Sequence, residues 1–193
     1  MKTKLTYLKV LSFLFLFSSS PVVFGDVLQD RPEEDVDPKM MEMILAFTSK
    51  DFKKVCDMSL LLAQIIDQFA QWSLGNCYVK GQGVEQDYKQ ALKWYLLSAK
   101  QGHKRSQFDL GVMFENGEGV SIDNEKAIKW YLLSAEQGHS DAQRILGSIY
   151  ENGRGVDKDY KESFVWYRLA AEQGNAKAQH SLGIIHKNGQ GIR

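Results

Sequence analysis

The side chains best suited to metal binding or nucleophilic chemistry in this 193-residue sequence are four histidines and two cysteines. Their spacing supports neither use. His180 and His186 stand six apart on one expected helix, which turns them about 120° away from a common face. His103 and His139 each follow a Gln-Gly pair, just past an expected helix end, where imidazoles serve as partners for the last carbonyls. Cys56 and Cys77 lack the Cys-x-x-Cys spacing of a redox centre. No His-Glu-x-x-His, Gly-x-Ser-x-Gly or Ser-x-x-Lys string occurs, so the commonest zinc-protease, α/β-hydrolase and penicillin-recognising serine chemistries have no ligand set or nucleophile. The Gly-x-Gly segments have the look of phosphate loops, but they follow helices and lack the Gly-Lys-Ser/Thr ending. They read as turns. Catalytic, cofactor and metal residues are therefore expected to be absent.

The elements that place these residues come from a repeat. Leu74-Gly75, Leu110-Gly111, Leu146-Gly147 and Leu182-Gly183 recur at an offset of 36, as do Gly81/Gly83, Gly117/Gly119, Gly153/Gly155 and Gly189/Gly191. A period of this size marks stacked units, because one short unit cannot bury its apolar face alone. Within each unit two helices are expected. The first runs from Gln68 to Lys80 with Ala70, Leu74 and Tyr78 on one stripe, and ends at glycine. Asp87, Asp123 and Asp159 then stand as N-caps. On the second helix Tyr88, Ala91, Tyr95 and Ala99 share a face, and Gly102, Gly138 and Gly174 close the helices in the left-handed conformation. No strand pattern appears. The fold class expected is an all-α, α/α superhelical solenoid of 36-residue helix-turn-helix repeats.

The combined Leu-Gly, Gly-x-Gly-Val, Trp-Tyr and Gln-Gly anchors, as in LGVMFENGEGVSIDNEKAIKWYLLSAEQGHSDAQ, resemble the Sel-1-like repeats, a branch of the tetratricopeptide-like solenoids. The resemblance covers residues 68–193, as three full copies and a truncated fourth. It implies a right-handed superhelix of helix pairs and roles in assembling other proteins, often at membranes or in bacterial envelopes, but no single activity.

Residues 1–25 read as a secretory signal peptide: Lys2, Lys4 and Lys9, an apolar stretch from Val10 to Phe17, and a Val23-Phe24-Gly25 cleavage site. The competing reading is an uncleaved anchor, against which the short apolar core argues. Localisation is expected to be periplasmic or secreted, with no stable membrane span after cleavage. The whole chain is formally neutral. Losing the leader's three lysines leaves it mildly acidic, so nucleic-acid binding has no electrostatic support. Residues 26–38 hold six acidic residues and two prolines and are expected to be a disordered lead-in. Residues 39–67 fit the period loosely, with Asp51, Phe52, Val55, Met58 and Ala63 in register with the next unit, and read as a degenerate N-terminal capping unit.

Both cysteines occupy apolar positions of the repeat. One reading is two small core residues. The other is a structural disulfide, since with a turn near Ile66-Asp67 the two lie about equally far from the bend of a hairpin, in an exported and oxidising setting. Both stand at this point.

On the first helices, the positions shared by all copies cover one side of the helical wheel. The positions that differ are Trp72, Phe108, Arg144 and His180, then Asn76, Val112, Ser148 and Ile184 one turn later. In tetratricopeptide-like solenoids first helices line the concave surface, so the resemblance places this row in the groove as the partner-binding site for a protein or peptide segment. Aromatics and Arg suit binding hot spots. The competing reading packs Trp72 and Phe108 under the N-terminal cap. Trp94, Trp130 and Trp166 recur too regularly for a binding ladder and read as packing between repeats. Near the last residue, Leu182 and Ile185 are expected to lose their cover and form an apolar patch for self-association through the C-terminal helix.

The function expected is an exported, non-catalytic adaptor. One alternative is a cell-envelope protein that binds peptidoglycan or binds or hydrolyses β-lactams, as the resemblance to cysteine-rich relatives implies. Those relatives carry paired cysteines in each unit, and this chain has one pair. The other alternative is a secreted host-interaction factor, which differs in destination rather than mechanism.

Overall fold

The computed structural model describes residues 49–63 and 67–189, together with 39, 42, 45 and 46. The expected signal peptide, the acidic lead-in and the turn at Ile66 lie outside the described residues. From Phe52 to Lys187, among the described residues, these helices follow one another: α1 (Phe52–Ala63), α2 (Gln68–Lys80), α3 (Tyr88–Lys100), α4 (Lys104–Asn116), α5 (Asn124–Glu136), α6 (Ser140–Asn152), α7 (Tyr160–Glu172) and α8 (Ala176–Lys187). Each packs on its neighbours in sequence. No strand occurs among the described residues, and the architecture is the all-α repeat solenoid that the 36-residue period predicts.

Helix boundaries follow from local chemistry. Asp87, Asp123 and Asp159 sit in extended conformation and accept backbone N–H bonds from the first turns of α3, α5 and α7. Gly81, Gly117 and Gly153 end α2, α4 and α6 in the left-handed region. At Gly83 and Gly119 the second glycine of the Gly-x-Gly has a further reason to be glycine, a backbone of the preceding unit closer than 3.0 Å to its would-be Cβ. A Cβ on Gly119 would stand 2.5 Å from the Tyr88 carbonyl oxygen, because the loop of one repeat lies against the start of the preceding repeat's second helix.

The core runs as four linked clusters between the helix layers. Ala70, Leu74 and Cys77 pack with Val55 and Cys56 of α1, and Trp94 of α3 leans on that cluster. Trp130 leans in the same way on the cluster of Ala91, Tyr95, Leu110 and Met113, and Trp166 on that of Ile128, Tyr131, Leu146 and Ile149. Each of these clusters joins residues of the tryptophan's own repeat to residues of the unit before it, so the ladder packs along the seams between repeats. The Leu-Gly pair gains its meaning here. The rings of Tyr95, Tyr131 and Tyr167 lie where a Cβ on Gly75, Gly111 or Gly147 would come within 2.4 to 2.6 Å. At Gly183 nothing lies within 4 Å.

A polar relay runs beside the apolar core. Gln71, Gln107 and Gln143 are buried. Each donates to a carbonyl of the preceding second helix, Ala63, Ala99 or Ala135. Each also accepts from the glutamine that ends the following second helix, Gln101, Gln137 or Gln173, at 2.6 to 2.8 Å. Both ends of each buried amide are thus satisfied, as a buried polar group requires.

The structure joins Cys56 of α1 to Cys77 of α2 in a disulfide, with Cα atoms 6.0 Å apart. Two sequence expectations need correction. His103 and His139 serve the preceding helices through their backbone N–H groups, which donate to the Ser98 and Ser134 carbonyls. Their rings turn forward and cap α4 and α6, accepting from the backbone N–H of Ser106 and Ala142. The preceding ends are already closed by main-chain bonds from Gly102 to Ala99 and from His103 to Ser98. Ile185 does not lose its cover: it is fully buried against Tyr167, Ala170 and Ala178, because it faces the preceding repeat. Leu182 is half-buried, and Ile184, 43% exposed, carries the apolar surface of α8.

Candidate functional site

Because α2, α4, α6 and α8 begin 36 residues apart, Trp72, Phe108, Arg144 and His180 hold equivalent places on successive first helices. Trp72 is half-buried and firmly held. Its indole N–H donates to the Asp109 carboxylate at 2.7 Å, and its ring lies 5.4 Å from that of Phe69 and 5.6 Å from that of His103. The Arg105 guanidinium stands over the same ring at 5.5 Å, a cation–π geometry. Trp72 packs toward the second repeat, with the cluster of Ala91, Tyr95 and Leu110, rather than under the N-terminal unit. Phe108 stacks on the His139 ring at 4.6 Å and leans on Tyr131.

Arg144 is partly exposed and 3.6 Å from Asp141. Its Nε is buried and has no hydrogen-bond partner. His180 and Ile184 are exposed, Val112 is half-buried, Asn76 donates to the Trp72 carbonyl at 3.1 Å, and the Ser148 carbonyl accepts from Asn152 at 2.8 Å. The row thus grades from two held aromatics through a cation to open polar and aliphatic residues.

Asp109 is the residue that periodicity misses, since its counterparts are Ser73, Ile145 and Ser181. Burial of its carboxyl pushes the pKa up to about 6, against the pull of the Trp72 N–H and of Arg105 and Lys80. Burial, with the charges of Asp109 and Glu118, also pushes the Tyr95 phenol up. Tyr131 and Tyr167 instead donate to Glu115 and Glu151 at 2.6 and 2.8 Å. Val79 stands where those glutamates do in the first full repeat. Arg154 of the third repeat reaches back to Glu115 at 2.9 Å, so one charge pair ties the second repeat to the third along this side. Among the described residues, no group of three or more His, Cys, Asp or Glu side chains is placed to hold a metal, and no helix is long and apolar enough to cross a membrane.

The arrangement suits contact with a chain-like ligand: a row of unlike side chains on a repeated support. Comparison with known proteins decides the family. The Sel1 repeat model matches four times, at residues 68–103, 104–139, 140–175 and 176–193. This chain belongs to the Sel1 repeat family. Solved Sel1 structures agree. A Sel1 repeat protein from Oxalobacter formigenes is 34% identical with a TM-score of 0.77, over 82% of this chain and 63% of that one. The protein c5321, described as a protective antigen present in uropathogenic Escherichia coli strains and displaying an SLR fold, is 39% identical with a TM-score of 0.71, over 74% of this chain and 31% of that one. Helicobacter pylori cysteine rich protein B shares the fold at 21% identity and a TM-score of 0.52, over 76% of this chain and 98% of that one. This Sel1 chain spans less than two thirds of the length of the first two. A search of curated proteins gave no match. Sel1 repeats are commonly protein–protein interaction scaffolds and generally non-catalytic.

Proposed function

We propose that this Sel1 chain is an exported, non-catalytic adaptor that holds a protein or peptide segment along the first-helix row from Trp72 to His180, on the concave side of the solenoid. The observation that carries this reading is the contrast within each first helix. Gln71, Leu74 and their counterparts in the second and third repeats are buried, while in the fourth Gln179 is exposed and Leu182 half-buried. The neighbouring row changes from Trp to Phe to Arg to His and keeps solvent contact at every position. A scaffold that reads one partner needs such a row, because specificity requires unlike contacts on a common frame. The Arg144 guanidinium, whose Nε makes no hydrogen bond and stands 3.6 Å from the Asp141 carboxylate, also favours a ligand with a carboxylate or carbonyl beside it, since Arg donors pair strongly with such groups. Export rests on the leader at residues 1–25.

The test is capture and cross-linking of partners from an envelope fraction and from a host-cell lysate, with wild type and with the combined Trp72→Ala, Phe108→Ala, Arg144→Ala, His180→Ala variant, folding being checked by circular dichroism. A partner cross-linked to the row in wild type and lost from the folded variant supports the adaptor, and the fraction that yields it separates an envelope role from a host role. Binding of both proteins to peptidoglycan sacculi or to β-lactams, with no protein partner, would replace the adaptor reading.

A further inference from the structure

Three times in this chain one kind of slot is filled in the same way. Gly75, Gly111 and Gly147 of α2, α4 and α6 are buried under the rings of Tyr95, Tyr131 and Tyr167, which the second helix of the same repeat brings. The surroundings of the slot repeat as well. Leu74, Leu110 and Leu146 are at most 1% exposed, and Gln71, Gln107 and Gln143 accept from the glutamines that end the second helices. The fourth first helix, α8, carries the same receiving residues as Gln179, Leu182 and Gly183. Among the described residues nothing fills them.

Gln179 and Gly183 are exposed, Leu182 is half-buried, and a Cβ at Gly183 would have nothing within 4 Å. The Gln179 amide donates to the Ala171 carbonyl at 3.2 Å, as its counterparts do to theirs, but no described donor reaches its oxygen. The other side of α8 is in place, with Ala178 and Ile185 fully buried in the cluster of Tyr167 and Ala170. The preceding repeat thus holds α8 with its receiving side open.

The filled copies say what fits there. In α3 and α5 the buried stripe is alanine, tyrosine four residues on and alanine four further, as Ala91, Tyr95, Ala99 and Ala127, Tyr131, Ala135. A glutamine follows two residues later. A second folded copy of this chain has no such stripe to offer, because Tyr95, Tyr131 and Tyr167 are 0–3% exposed in their own repeats. We propose that the open side of α8, at Gln179, Leu182 and Gly183, is a docking site for an amphipathic helix of a partner protein that carries the stripe Ala-x-x-x-Tyr-x-x-x-Ala-x-Gln. Its tyrosine ring lies on Gly183, its alanines keep the two helices close and complete the cover of Leu182, and its glutamine amide donates to the Gln179 oxygen.

The probe is a synthetic helix with the sequence of residues 124–137, which is α5 with its closing glutamine. A helix this short is marginal alone, so a lactam between Lys129 and Leu133→Glu, both exposed positions, holds it helical. Fluorescence anisotropy with the full chain reads its affinity. Gly183→Ala is the deciding variant, because open space around the new methyl leaves the fold intact, while a docked tyrosine ring would meet it as Tyr131 would meet a Cβ on Gly111, at 2.4 Å. Expected are saturable binding to wild type, a loss of about tenfold or more in Gly183→Ala, and a similar loss for the probe with Tyr131→Ala. No binding, or equal binding by wild type and Gly183→Ala, overturns the proposal. A chain that dimerises in sedimentation and loses the dimer in Gly183→Ala, without binding the probe, overturns it in favour of a second copy.

Discussion

Two kinds of residue set the chemistry of this Sel1 chain: glycines that admit a ring and a carboxyl that is held out of water. The Leu-Gly signature is plain in the sequence, but its cause is not, because the tyrosine that needs the glycine stands 20 residues away. Gly111→Ala would drive a Cβ to 2.4 Å from the Tyr131 ring and should lower stability by about 1–3 kcal/mol. Gly183→Ala meets nothing within 4 Å and should raise it by about 0.5–1 kcal/mol, as a glycine replaced within a helix. Thermal melts of the two variants check the contrast, and equal effects would refute the ring contact. Asp109 left no periodic signal, since it occurs in one repeat only. Its folded-state pKa lies above the ordinary 3.8, at about 6, so the fold prefers the protonated acid. The stability it contributes is present below about pH 4 and is lost as pH rises through about 6. From that shift, wild type should lose about 2–3 kcal/mol between pH 4 and pH 7 relative to Asp109→Asn, which keeps an acceptor for the Trp72 N–H. Denaturant unfolding of both proteins across that range measures it, and parallel pH profiles would remove Asp109 as the cause.

Among the elements, the helices were readable to the residue where caps define them. α2 spans Gln68–Lys80, and α3 starts directly after Asp87, as glycine and aspartate chemistry predicts. Asp159 caps α7 through the N–H groups of Lys161 and Glu162 at 2.8 and 3.1 Å. Asp159→Ala should cost about 1 kcal/mol and Asp159→Asn much less, by thermal unfolding. The histidine caps were misread because the ring's partner depends on which carbonyls the chain has already closed, and sequence does not show that. Pairing of the cysteines was open for a similar reason: their register positions allow both core packing and a bond, and the relative orientation of α1 and α2 decides. With 21 residues separating Cys56 and Cys77, reduction should cost about 3 kcal/mol. The loss should be concentrated in α1, which the disulfide ties to α2. Hydrogen exchange before and after reduction tests this, and uniform loss of protection across all helices would contradict it.

At the scale of the molecule, stacked repeats touch only their neighbours, so cooperativity depends on each junction. The junction between the first two full repeats has a shared apolar core of Tyr95 and Leu110 and, beside it, the loop at Gly119 against Tyr88, the Gln107 relay to Ala99, the Ser106–Ser98 hydrogen bond, and Trp72 with Asp109. The 36-residue period announces that junctions exist, but not which side chains make them, because partners such as Trp72 and Asp109 lie a whole repeat apart in sequence. Gly119→Ala isolates one tie. Its φ of +69° alone disfavours alanine, and the Cβ would also meet the Tyr88 carbonyl oxygen at 2.5 Å, so the loop must leave the preceding repeat. Gly102→Ala is the control: it has φ of +93° and nothing within 4 Å, so it carries left-handed strain of about 1 kcal/mol without disturbing a junction. Gly102→Ala should lower the melting temperature and keep a single transition. Gly119→Ala should split unfolding, with amides of α1 to α3 exchanging apart from those of α4 to α8. A single transition in both variants would mean that the shared core, the glutamine relay and the other side-chain ties suffice to couple the repeats, and that the loop contact contributes stability without setting cooperativity.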